Sequence, residues 1–115
     1  HAVIFVEDLA AVPLEEWGPV IETHSFFPRR TNVEFVQVKD PDHARVRVWE
    51  RGSGATLACG TGACAVAVAG VLTGRFHRTV TLTLPGGDLK VEWAADNRVY
   101  LTGPAAFVYE GVLRV

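Results

Sequence analysis

The sequence predicts an α+β domain in which a mostly antiparallel sheet wraps around one buried central helix. Three features predict it. Between Thr61 and Thr73 lies a helix-length run of Ala, Val, Leu, Gly and one Cys with no polar side chain. After it come short segments of alternating apolar and polar residues separated by turn residues, and before it stand further apolar-rich strands. A helix without a polar face has to be covered on all sides, and this one is too short to span a bilayer. The strands before and after it are the material that covers it.

The totals agree with one small globular domain. The chain has 115 residues, 49% of them apolar and 21% charged, enough for a modest core and too apolar for disorder. Its net charge of -2 and pI near 6.1 leave no electrostatic footprint for nucleic acid. No apolar run suits a membrane span and no signal peptide is visible. Two cysteines five positions apart make no disulfide framework, so a reducing compartment is expected. The chain begins at His1 and has no methionine. A fragment of a longer protein is therefore expected, with any active site incomplete.

The elements follow in order. Ala2 to Asp8 ("AVIFVED") is apolar on both faces, as a buried strand would be. Pro13 to Phe27 opens with Pro and acidic residues, a helix-start pattern. Gly18-Pro19 in its middle predicts a short or broken helix. Asn32 to Lys39 ("NVEFVQVK") reads as a strand whose phase slips near Val36, where a bulge is expected. Pro41 to His43 is a turn. In "ARVRVWE", alternation sets Val46, Val48 and Glu50 on one face and Arg45, Arg47 and Trp49 on the other. Glu50 thus ends a strand on the core side, where a carboxylate needs partners or shifts its pKa upward. The competing reading is that the strand stops there and the side chain turns to water. Arg78 to Leu84, Asp88 to Trp93, Arg98 to Thr102 and Ala105 to Val115 then alternate around "PGG", "AADN" and "GP", an antiparallel meander.

The loop before the apolar helix carries the chemistry. The first N–H groups of a helix have no partner within it. No Ser, Asp or Asn caps this helix; "GSGATLACGTG" delivers Cys59, Gly60, Thr61 and Gly62 to its start. Glycines let a ligand approach those N–H groups closely. A helix N-terminus favours an anion by about 0.3–1 kcal/mol, and it favours a thiolate over a thiol. It suits a substrate carboxylate equally. A Walker A loop is excluded, because no Lys-Ser/Thr follows. A zinc site lacks further ligands nearby. Helical spacing turns Cys64 away from Cys59, which argues against a redox pair and makes Cys64 a small core residue. For Cys59 two readings stay open on these grounds alone: a reactive or anion-adjacent thiol, or a packed inert one.

These residues also resemble a known family. "ERGSGATLACGTGACA" is similar to the signature of diaminopimelate epimerases, pyridoxal-independent enzymes that supply precursors of lysine and peptidoglycan. "HAVIFVED", "FPRRTNVEFVQV", "LPGGDLKVEW" and "YLTGPA" resemble further family segments, so the likeness runs along essentially the whole chain. It implies that residues 1–115 are the C-terminal domain of a two-domain enzyme. Each domain would be a sheet around a central helix, with diaminopimelate bound between them. It implies two cysteines on opposite faces of the substrate α-carbon, one removing a proton and the other returning one. Cys59 would be one of them and Glu50 its base partner and a substrate contact. Arg51 would pair with a substrate carboxylate and Asn32 with substrate polar groups. Gly60 and Thr61 would offer backbone N–H groups to the α-carboxylate. His1 would be the base partner of the second cysteine, which belongs to the absent N-terminal domain. One departure is Ala55, where many relatives carry Glu and others Ala.

The resemblance further implies no cofactor, no metal, a homodimer and a cytoplasmic enzyme (in a plant, one of the plastid stroma). Lys39 and Lys90 lie on strands among polar neighbours, so neither suggests a Schiff base. His24, His43 and His77 lie in turn or surface contexts and suggest no chemistry. Two alternatives stand beside this reading. One is a related cofactor-independent racemase or isomerase of the same fold. The other is a non-catalytic half-domain for dimerisation or anion binding.

Overall fold

The computed structural model describes all residues from His1 to Val115 and contains seven strands and two α-helices. Strand β1 (Ala2–Phe5) leads through a single 3-10 turn (Leu9–Ala11) into helix α1 (Leu14–Glu22). Strands β2 (Val33–Asp40), β3 (His43–Glu50) and β4 (Gly54–Thr56) precede helix α2 (Gly60–Leu72). Strands β5 (Thr79–Leu84), β6 (Gly87–Trp93) and β7 (Val99–Thr102) complete one sheet in the order β1-β2-β3-β5-β6-β7. The short β4 shares an edge of β3 with β5. Pairing is parallel for β1 with β2 and for β3 with β5, and antiparallel elsewhere.

Alternation along β2 explains the two faces of this sheet. Val36 joins Val46, Val48, Val80, Leu82 and Val91 in the core under α2. Val33 and Phe35 point the other way and pack with Leu9, Val12 and Leu14. Both faces of β2 are therefore buried, and the apparent slip near Val36 is double coverage rather than a bulge. The register irregularity comes later, between Val38 and Asp40.

Helix α1 is short, as expected, but unbroken. Pro19 leaves the Glu15 carbonyl without its helical donor, and Glu15 is exposed, where water supplies one. Gly18 is required for packing: a Cβ there would collide with the Trp49 indole. Strand β4 is an addition, since its sequence reads as loop. Gly52 (φ 80°) and Gly54 (φ 78°) allow the tight reversal from β3 into it.

Strands from both ends of the sheet, β1 and β7, touch α2, so the sheet does wrap around it. The coverage is one-sided. Gly62, Ala63, Val66, Ala67 and Gly70 are buried, whereas Ala65, Val68 and Ala69 are half-buried and Leu72 is exposed. The expected last strand does not form. No regular element follows Thr102, and the apolar residues of the tail, such as Phe107 at 95% exposure, touch no core. Alternation without a surface to bury against does not make a strand.

The helix ends where Gly74 suggests. Gly74 adopts φ 75°, its N–H donates to Val71 O, and Arg75 N–H donates to Gly70 O, which satisfies the last carbonyls in a Schellman turn. The chain then folds Phe76 over Gly70, and a Cβ at residue 70 would sit inside the Phe76 ring. Gly70→Ala is accordingly expected to destabilise the protein by about 1–3 kcal/mol despite alanine's better helix propensity. Thermal unfolding measures it.

Candidate functional site

The start of β1, the start of β2, the end of β3 and the N-terminus of α2 meet at one rim of the sheet. Register fixes what stands there. Ala2 pairs with Val33 and Val33 with Trp49. One position outward on the three adjacent strands come His1, Asn32 and Glu50. One position inward comes the row Val3, Glu34, Val48. Period-two alternation places His1, Asn32, Glu34 and Glu50 on the α2 face, and Val33 and Trp49 on the other. Four residues from three segments distant in sequence thus converge because three strands terminate at one rim.

Helix α2 brings Cys59 to the same place. Cys59 has extended dihedrals (φ -144°, ψ 109°) and is itself the N-cap. Its Sγ accepts the Gly62 N–H at 3.4 Å and lies 3.6 Å from Thr61 Oγ1. A thiolate is the better acceptor in this position. The residue is largely buried, but its sulfur faces a hydroxyl and an N–H rather than only aliphatic groups. The N–H groups of Gly60 and Thr61 have no acceptor within the helix and remain available to an anion. Cys64 is half-buried against the core, and burial, with Cys59 adding, pushes its thiol up. Both cysteines are free.

Asn32 and Arg51 are tied together. Asn32 Oδ1 accepts the Arg51 backbone N–H at 2.7 Å, which leaves the Asn32 amide donors free. The Arg51 side chain is exposed, with one N–H reaching Arg29 O at 3.4 Å. Glu22 braces the turn from below. Its carboxylate accepts from Trp49 Nε1 at 2.9 Å and from Gly52 N at 3.2 Å, and Arg30 lies 3.5 Å away. The Trp49 hydrogen bond, with Gly52 and Arg30 adding, holds the Glu22 carboxyl below its usual range although desolvation opposes them.

Two acidic residues of this region escape a sequence-only reading. Glu22 follows Leu14 and Gly18 at intervals of four, the buried face of α1, and that spacing is its signal. Glu34 is a charge inside the apolar run of β2, and it is 0% exposed. Its Oε1 lies 2.7 Å from His1 Nδ1, while its Oε2 has no partner. Burial pushes the Glu34 carboxyl up to about 7, and the Glu50 charge adds to the shift. An unpartnered buried polar atom costs about 1–3 kcal/mol, so the fold tolerates Glu34 at a loss.

The other residues weighed from sequence lie elsewhere. Lys39 and Lys90 are exposed. His24, His43 and His77 are exposed as well; His43 pairs with Asp40 and His77 with Asp42. No three His, Cys, Asp or Glu side chains converge to hold a metal ion. No helix is long and apolar enough to cross a membrane. At this rim Cys59 and Glu34 are buried, Asn32 and Glu50 half-buried and Arg51 exposed.

Comparison with known proteins bears on this geometry. The family profile described as diaminopimelate epimerase matches residues 1–108. A diaminopimelate epimerase of Desulfitobacterium hafniense is 61% identical over 113 residues, covering 98% of this chain and 40% of the relative. One from Synechococcus elongatus is 58% identical over 115 residues, covering 100% of this chain and 41% of the relative. The chain thus spans about two fifths of the length of the curated relatives it matches. Among solved structures, phenazine biosynthesis proteins of the PhzF family show the same fold. That of Enterococcus faecalis has a TM-score of 0.59 at 16% identity, covering 81% of this chain and 33% of that one. That of Bacillus anthracis has 0.59 at 18% identity, covering 84% and 32%.

Proposed function

The chain belongs to the diaminopimelate epimerase family, and on that premise we propose that it is the C-terminal domain of a two-domain epimerase that interconverts LL- and meso-diaminopimelate. The substrate lies on the rim described above, and an N-terminal domain faces it from the other side. The observation that carries this reading is Cys59 as the N-cap of α2, its sulfur accepting the Gly62 N–H at the helix start.

In the proposed reaction the Cys59 sulfur and a cysteine of the N-terminal domain stand on opposite faces of Cα. The thiolate on one face takes the Cα proton, forming S–H as C–H breaks. The electron pair passes into the α-carboxylate. The thiol on the other face then delivers its own proton to Cα, and configuration inverts. The two thiols exchange roles in the reverse direction. The Gly60 and Thr61 N–H groups meet the carboxylate where charge builds, so they bind the transition state more strongly than the ground state. Glu50 receives the sulfur's proton, while Asn32 and Arg51 hold substrate polar groups. His1 serves the opposite cysteine. The Cα proton is very weakly acidic without a cofactor, so closure of the second domain has to exclude water and strengthen these dipoles.

The test is exchange at Cα in D2O. The full-length protein carrying this chain, incubated with LL-diaminopimelate, is expected to incorporate deuterium at Cα and form the meso isomer. Proline and other amino acids should remain unlabelled. Labelling of another amino acid in place of diaminopimelate would move the reading to a related isomerase. No labelling of any substrate would leave a binding module.

A further inference from the structure

Glu34 is not used by the reaction proposed above, yet it is the most costly residue in the region. It is fully buried between β1 and β3, where Val3 and Val48 are its register partners. The start of α2 closes over it. A Cβ at Gly62 would lie 2.7 Å from Glu34 Oε1 and 3.2 Å from Cys59 Sγ, so the carboxylate and the sulfur are close neighbours across that glycine. The titratable groups facing Glu34 are His1 just before β1, Glu50 at the end of β3 and Cys59 at the cap of α2. Only His1 gives it a side-chain hydrogen bond. A leucine would fill the position without the carboxylate oxygen that is now left unpaired. Retention of an acid there calls for a task.

We propose that Glu34 is a positioning residue for His1: its carboxylate takes the Nδ1–H, fixes the ring and leaves Nε2 as the nitrogen that exchanges a proton with the cysteine of the opposite domain. The role rests on the epimerase reading. Its chemistry is that of a carboxylate behind an imidazole. The acid selects the tautomer, because only Nδ1–H can donate to it. Its negative charge also favours the imidazolium formed when the ring accepts a proton, and burial strengthens that interaction by excluding water. Glu34 lies near the Cys59 sulfur but makes no hydrogen bond to it; its one side-chain hydrogen bond is to His1. It acts only through His1.

The experiment uses the full-length protein labelled with 15N-histidine, and the isosteric variant Glu34→Gln. In the wild type, neutral His1 is expected as the Nδ1–H tautomer; an Nε2–H tautomer overturns the proposal without recourse to any variant. In E34Q the His1 titration is expected to move down by about one pH unit or more. The limb of the kcat profile that reports His1 should move with it. kcat should fall about 10- to 100-fold and KM should change less than twofold. Glu34→Asp, which keeps the charge, should restore part of the shift. An unmoved His1 titration in E34Q overturns the pairing. A moved titration with an unchanged rate profile overturns the positioning role. Wild-type protein that shows the Nδ1–H tautomer but no exchange at Cα would instead count against the epimerase reading, and the tautomer and titration would still decide the pairing.

Discussion

Cys59→Ala in the full-length protein is expected to lower diaminopimelate turnover at least about 10³-fold, because one of two proton-transfer groups is removed. The same change also removes the helix cap, since Sγ accepts the Gly62 N–H. Loss of an oxygen cap costs about 0.5–2 kcal/mol. Sulfur is a weaker acceptor, so the cost should lie near the lower end. Alanine alone therefore confounds a chemical loss with a structural one, and Cys59→Ser separates them. A serine hydroxyl caps a helix better than a thiol does, so C59S should be at least as stable as the wild type in thermal unfolding. It should still be inactive, because an alcohol is far too weak an acid to supply its anion near neutrality. Stability kept and turnover lost is the expected pattern. C59S that keeps a tenth of wild-type turnover would remove Cys59 from the chemistry.

What could be read from the sequence follows from which forces act locally. The apolar run from Thr61 to Thr73 reads as a helix, and α2 is that helix, although the sheet covers only one side of it. Cys59, Gly60 and Thr61 could be placed at its start because the period changes there. Glu50 could be placed at a strand end on the α2 side because alternation is rigid. The tail could not be read correctly. Ala105 to Val115 alternates like a strand, but whether it pairs depends on a surface this chain does not provide. The double burial of β2 was hidden for a related reason. Its pattern looks like a slipped phase until α1 and α2 are known to cover opposite faces. The convergence of His1, Asn32 and Glu50 is likewise a property of register between strands, which no single segment encodes. Glu34 was the most legible of the missed residues. An acid flanked by Val33 and Phe35 on a core strand is a local inconsistency, and such inconsistencies concentrate at functional sites.

Gly62→Ala tests that convergence most sharply, because intrinsic preference and local geometry predict opposite signs. Alanine exceeds glycine in helix propensity by about 0.8–1 kcal/mol, so the substitution should stabilise an ordinary helix. Here the new methyl would meet Glu34 Oε1 at 2.7 Å, Cys59 Sγ at 3.2 Å and Glu34 Cγ at 3.3 Å. Glu34 cannot withdraw, being fully buried between two strands. The sulfur can give way only by leaving its cap position. G62A is therefore expected to be destabilised by about 1–3 kcal/mol. A displaced sulfur should also cost turnover about 10²-fold, as misplacement of a reacting group by an ångström does. The double variant Glu34→Ala/Gly62→Ala opens the space that the methyl needs. Its stability should exceed the sum of the two single effects by about 0.5–3 kcal/mol, the coupling expected of residues in contact, while turnover stays low because the acid behind His1 is gone. Strict additivity in thermal unfolding would mean that Glu34 and the start of α2 do not touch, and the arrangement of the rim would have to be redrawn.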